Sequence, residues 1–235
     1  MACDTDIKLS FPQSRVYLDA GENAEGECVM EFRLIYEGEL LSSGNRGSTA
    51  DNKHAIRKAL HPQLRRLWQV HRGIQQYALM RSNLVQLTPE ATDMERISAG
   101  IKVISEQWER AGIRFVPLVT PLYALRCNLD ILLLRPADER FIFRRGDMDG
   151  QVKTLFDALR IPESADETGS SGPGEDEAPF YCLLSDDRLI TGMQVTDDQL
   201  LVLPRQREVK GTDAFVVIHV QISHRYGGAM DRFFD

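Results

Sequence analysis

Between Leu125 and Leu159 the chain changes hydrophobic period once, and that change limits what it can fold into. Leu125 to Leu134 (LRCNLDILLL) is nearly continuous in apolar residues, the pattern of a strand inside a sheet. A polar connection, Arg135 to Gly146, follows. Asp149 to Leu159 then takes up helical spacing, with Pro162 to stop it. Asp147 and Asp149 stand two residues apart at this strand-to-helix junction. Lys153 and Asp157 follow at four-residue intervals, so Asp149, Lys153 and Asp157 are expected to form a polar stripe.

Two carboxylates at a helix start, a lysine one turn on and a further acidic pair, Asp186-Asp187, suit metal-assisted phosphodiester hydrolysis. Hard divalent cations prefer oxygen ligands, and Mg²⁺ takes one or two carboxylates together with phosphate and water. Each piece also has an ordinary use. An Asp ahead of an apolar-periodic run is a standard N-cap, and acids are favoured in a first turn. Asp and Lys four apart make a helix ion pair, and adjacent acids mark turns.

The rest of the chain predicts an α+β protein, since strands and helices occur without regular alternation. Glu31 to Leu41 alternates as a strand, followed by a small-residue loop from Ser42 to Ala50. A helix is expected from Asp51, bending at His61-Pro62 and resuming through Leu79. Thr92 to Ala111 reads as another helix, and Ile113 to Val119, Leu189 to Val195 and Phe215 to Ile222 read as strands. Between Lys53 and Arg72 lie six bases and no acid. That face is either solvated or a phosphate-contacting surface, with Arg65 and Arg66 as candidates. Arg140, Arg144 and Arg145 precede the Asp147 turn, where they either hold a phosphate or solvate the loop.

The net charge of −7 hides two segments. Residues 1–30 carry six acids against two bases and read as a loose tail. Residues 162–180 carry six acids and no base in a Gly-Ser-Pro-rich stretch that reads as a disordered insertion. The remaining body is mildly basic at +3, compatible with phosphate binding. No apolar run reaches the ~18 to 20 residues needed to span a bilayer, and no signal-peptide pattern opens the chain. A cytoplasmic protein without membrane contact is expected. The four cysteines and five histidines show no metal-ligand spacing.

The run Arg145-Gly146-Asp147-Met148-Asp149, Lys153 and Phe156-Asp157-Ala158-Leu159, followed by Asp186-Asp187-Arg188-Leu189-Ile190, resembles the signature of the RusA family of Holliday junction resolvases. Phe32 to Asn45 is weakly similar to that family's opening strand and turn. The stronger part covers roughly 65 of the 235 residues. The resemblance implies a RusA-like endonuclease fold, a mixed sheet with packed helices, in one domain over 31–235. It implies Mg²⁺, with Mn²⁺ as a substitute, on Asp147, Asp149 and Asp187. Lys153 would be the essential base-like or charge-stabilising group; its carboxylate neighbours favour a charged ammonium, so the charge-stabilising role is expected. Branched or four-way junction DNA would be the substrate and a homodimer the working form. The chain departs from the family in Gly150, where the family has Asn, in the long acidic insertion and in overall length. These departures keep open a second class: a catalytically degenerate RusA-like module for DNA binding or protein interaction.

Overall fold

A computed structural model describes residues 28–43, 46–123, 125–136, 147–168, 174–201 and 211–224. Its main sheet runs, in order, β1 (Cys28–Glu39), β7 (Asp213–His224), β4 (Leu125–Pro136) and β6 (Ile190–Leu200). β4 lies inside it, as its apolar run requires, antiparallel to β7 and parallel to β6. β1 pairs antiparallel with β7. The parallel β4–β6 pair needs a crossover, and α4 (Met148–Leu159) forms part of it. A second sheet has the order β2-β3-β5, from Glu109–Arg110, Ile113–Val119 and Phe180–Leu184. The mixed α+β class expected from the sequence is what the chain adopts. Among the described residues no helix is long and apolar enough to cross a membrane.

Period-two alternation gives the main sheet two unlike faces. Leu34, Tyr36, Val216, Ile218, Val220, Leu129, Ile131 and Leu133 are buried on one of them. Glu31, Arg33, Asn128, Asp130 and Gln221 are exposed on the other, where His219 pairs with Glu31 at 2.6 Å. The apolar face packs with Ile56, Leu60, Leu64 and Trp68 of α1 (Arg46–Val70) and with Leu155 and Leu159 of α4 in one continuous core.

α1 passes straight through Pro62, so the break expected there is absent. Pro62 sits on the exposed side, and Leu60 and Leu64 bury the opposite side strongly enough to hold the helix. The interruption comes at His71, whose Nδ1 caps α2 (Arg72–Ser82) by accepting from the Ile74 N–H at 3.4 Å. The helix also starts earlier than expected, at Arg46 rather than Asp51. α3 (Asp93–Gln107) opens on a capping box between Thr92 and Glu95. It stops four residues short of the expected end because Ala111 (φ 51°) and Gly112 (φ 76°) turn a hairpin between β2 and β3.

The tail expectation for residues 1–30 concerns mostly residues outside those described, but Cys28–Met30 already belong to β1. The disorder expected over 162–180 is corrected where the chain is described. Ala165–Thr168 and Glu175–Glu177 form 3₁₀ turns, because their acidic residues find bases to bind. Glu167 meets Arg57 and Arg160, and Glu177 meets Lys58 at 3.5 Å.

On the outer edge of β1, a side chain takes a neighbouring strand's place at Ile35. Gln63 of α1 accepts from the Ile35 N–H at 2.9 Å and donates to the Ile35 carbonyl at 2.7 Å, as a neighbouring strand would. α2 and α3 approach so closely that a Cβ on Gly100 would lie 1.8 Å from the Ala78 carbonyl oxygen. Gly100→Ala is therefore expected to destabilise the chain by about 1–3 kcal/mol through overpacking, read as a lowered urea midpoint.

Candidate functional site at the first turn of α4

The platform under the Asp147 turn is a relay of buried polar groups. Arg135, at the end of β4 and 4% exposed, donates to Asp197 of β6 at 2.8 Å and to the Gln151 side-chain oxygen at 2.7 Å. Gln151 in turn donates to the Leu40 carbonyl at 2.8 Å. The ends of β1, β4 and β6 thus all bear on the first turn of α4. Gly150 lies buried against the segment after β1, where a Cβ would be 2.0 Å from Ser42 Oγ and 3.1 Å from Ser43 N. Gly150, where the RusA signature has Asn, has a packing reason here: only a residue without Cβ lets Ser42 and Ser43 approach the helix this closely.

On this platform stand Asp147, Asp149 and Lys153, all exposed. Asp147 occupies the N-cap position, yet its side chain makes no capping hydrogen bond. The capping use of that residue type is not taken up here. Asp149 lies in the first turn, where the helix dipole favours its charge. Although Asp149 and Lys153 are four residues apart, they form no ion pair among the described residues.

Asp157 does not join them, which corrects the expected polar stripe. Its carboxylate takes the Lys53 ammonium at 2.6 Å and Arg160 at 3.2 Å, and its carbonyl accepts from Arg57 at 2.5 Å. A step of four residues in a helix turns about 40° past a full circle. After two such steps Asp157 has rotated into the contact with α1.

The structure does not bring Asp187 to the Asp147–Asp149 pair. Asp187 begins the 3₁₀ turn Asp187–Leu189 and approaches Arg160, the C-cap of α4, at 3.9 Å. Arg160 follows Asp149 by eleven residues, about 16 Å along a helix axis at 1.5 Å each. The acids thus occupy opposite ends of α4. Among the described residues no group of three or more Asp, Glu, His or Cys is arranged to hold a metal ion. The three-carboxylate centre implied by the family resemblance does not fit this arrangement. What the N-terminal end offers is a pair of hard oxygen donors, a ligand number Mg²⁺ accepts when it keeps waters and binds substrate phosphate.

The neighbouring Asp186 follows the turn-forming alternative. Its carboxylate accepts from the Arg188 backbone N–H at 2.9 Å and from the Arg188 guanidinium at 2.6 Å. That guanidinium holds the Asp186 carboxyl down at about 2.

Arg65 donates to the Asp176 carbonyl at 3.3 Å and Arg66 to Gln69 at 3.4 Å, both on the exposed side of α1. Arg140, Arg144 and Arg145 lie outside the described residues. Cys127 and Cys182 are buried, and burial pushes both thiols up to about 12, so neither serves as a nucleophile near neutral pH.

Sequence reasoning missed Arg135, Gln151 and Asp197, which position the turn without carrying its charge. The available signal was an arginine closing an apolar strand and a glutamine on the inner side of an amphipathic helix. Gly150→Asn, which installs the family residue, is expected to cost about 1–3 kcal/mol by overpacking, and Ser42→Gly is expected to recover part of it. Urea denaturation of the two single variants and the double variant checks this coupling. Comparison with protein-family models, with curated proteins and with solved structures finds no match to this chain.

Proposed function

We propose that the chain is a RusA-like, Mg²⁺-dependent endodeoxyribonuclease that hydrolyses phosphodiester bonds in branched DNA, as in Holliday junction resolution. The observation that carries this reading is the first turn of α4: two exposed carboxylates, one of them at an N-cap position it does not cap, on a buried polar platform. Acids kept only for helix stability would be expected to take up the capping bond, worth about 1 kcal/mol. Catalytic groups must instead be held rigidly and left unspent.

Asp147 and Asp149 are the groups to hold a hydrated Mg²⁺, with Mn²⁺ as a substitute. When bound, the ion supplies an acidified water and offsets charge on the phosphoryl oxygens. Lys153, exposed one turn along α4, adds a positive charge for the phosphate under attack. Arg65 and Arg66 serve as contacts to flanking phosphates. Symmetric cutting of two strands calls for two copies of the chain related by a twofold axis.

The placement of Asp187 beside Arg160 favours a second reading, in which the scaffold binds branched DNA or a protein partner without cutting. One experiment separates the two. With purified chain, a four-way junction and Mg²⁺ or Mn²⁺, the nuclease reading expects nicked product. Asp147→Asn and Asp149→Asn should each lower its rate at least ~100-fold while leaving the melting temperature nearly unchanged. Junction binding by the wild type without any cleavage in either metal would establish the second reading.

A further inference from the structure

Between Lys53 and Arg72 the chain carries six bases and no acid, and three of those bases, Lys53, Arg57 and Lys58, are not exposed. The six divide into three groups by what holds them. Lys53 and Arg57 are structural: Lys53 pairs with Asp157, and the Arg57 side chain is 1% exposed among backbone carbonyls. Lys58 and Arg65 are held differently. Lys58, 32% exposed, meets Glu177 at 3.5 Å, and the exposed Arg65 donates to the Asp176 carbonyl at 3.3 Å. Beyond them Arg66 and Arg72 are exposed and meet no acid among the described residues.

We infer that the acidic segment around Asp176-Glu177 is an intramolecular stand-in for a nucleic-acid backbone, occupying part of the α1 surface that DNA phosphates would take. This rests on the nucleic-acid reading above and adds its regulation. The acid-rich insertion lies against the acid-free basic stretch of α1, and the Lys58–Glu177 pair makes that contact charge-complementary. The contact is also easily exchanged. It consists of one long, partly exposed ion pair, Lys58–Glu177, and one long hydrogen bond from Arg65 to a backbone carbonyl, whereas a duplex offers closely spaced charges and the entropy of released counterions.

The segment has a defined form to lose. Glu177 closes its 3₁₀ turn by accepting from the Gly174 N–H at 2.6 Å, and the Glu177 N–H donates to the Gly174 carbonyl at 3.0 Å. Incoming phosphates would take Lys58 and Arg65, and the turn would leave the helix surface as a unit. The described structure is then the DNA-free, self-covered state, in which fewer α1 cations are open to a partner than the sequence suggests.

The test is junction-DNA binding across a salt series with wild type and with the double variant Asp176→Asn/Glu177→Gln. Gln keeps an acceptor for the Gly174 N–H, so only charge is removed. The double variant should bind about 3- to 10-fold tighter at ~50 mM salt, with a log–log salt slope steeper by about one. In the wild type, amide hydrogen exchange at Gly174 and Glu177 should accelerate when junction DNA is bound. Unchanged affinity, slope and exchange, while Arg65→Ala/Arg66→Ala weakens binding, would overturn the stand-in and leave the nucleic-acid reading intact. No binding of DNA by any of these proteins would overturn both.

Discussion

The guanidinium of Arg57 is the interaction around which the packing of α1 against α4 and the insertion is arranged. It is buried, and it donates to the backbone carbonyls of Asp157 at 2.5 Å, Glu167 at 2.6 Å and Arg160 at 3.4 Å. Burial pulls its pKa below the usual arginine value, which an arginine tolerates because it starts so high. Three carbonyls from the end of α4 and from the insertion are thereby fixed to the middle of α1. With Lys53 on the Asp157 carboxylate, α1 and α4 are locked at the C-terminal end of α4. Removing one member of such a buried set leaves charges uncompensated, which is why partners of this kind cannot be traded singly.

That lock has a consequence for chemistry. Arg160 collects Asp157, Glu163, Glu167 and Asp187 around one guanidinium, so the acids that seem available in the sequence are gathered at the wrong end of α4. The other end is organised by Arg135 and Gln151, which brace the turn and leave Asp147 and Asp149 unspent. One short helix thus separates a neutralised, structural acid cluster from an exposed pair free to meet a ligand. A similar division runs through α1, whose inner bases Lys53 and Arg57 hold the fold while Arg65 and Arg66 stay exposed.

Much of the fold was legible in one dimension because it depends on local period. The apolar run of β4, the alternation of β1 and β7 and the amphipathic spacing of α4 each required a particular partner surface, and each found it. The errors fall where packing overrides local chemistry. Pro62 does not break α1, because Leu60, Leu64 and Trp68 hold both sides of it to the core. The end of α3 gives way to a hairpin because Ala111-Gly112 turns the chain, although its residues suit a helix. The insertion takes a defined form where described because Arg57 and Lys58 of α1, more than a hundred residues earlier, pair with Glu167 and Glu177.

For the candidate site, the sequence by itself determined which groups are present: Asp147 and Asp149 at a helix start, Lys153 one turn on, and a second acidic pair downstream. Tertiary structure alone decided their company. Helical rotation of about 40° per four residues carried Asp157 out of the stripe and into ion pairs with Lys53 of α1 and Arg160. The parallel β4–β6 crossover carried Asp187 to the far end of α4, since a helix joining parallel strands must run back along them. Spacing along the chain records which residues share a helix face, but not which end of that helix a distant segment returns to.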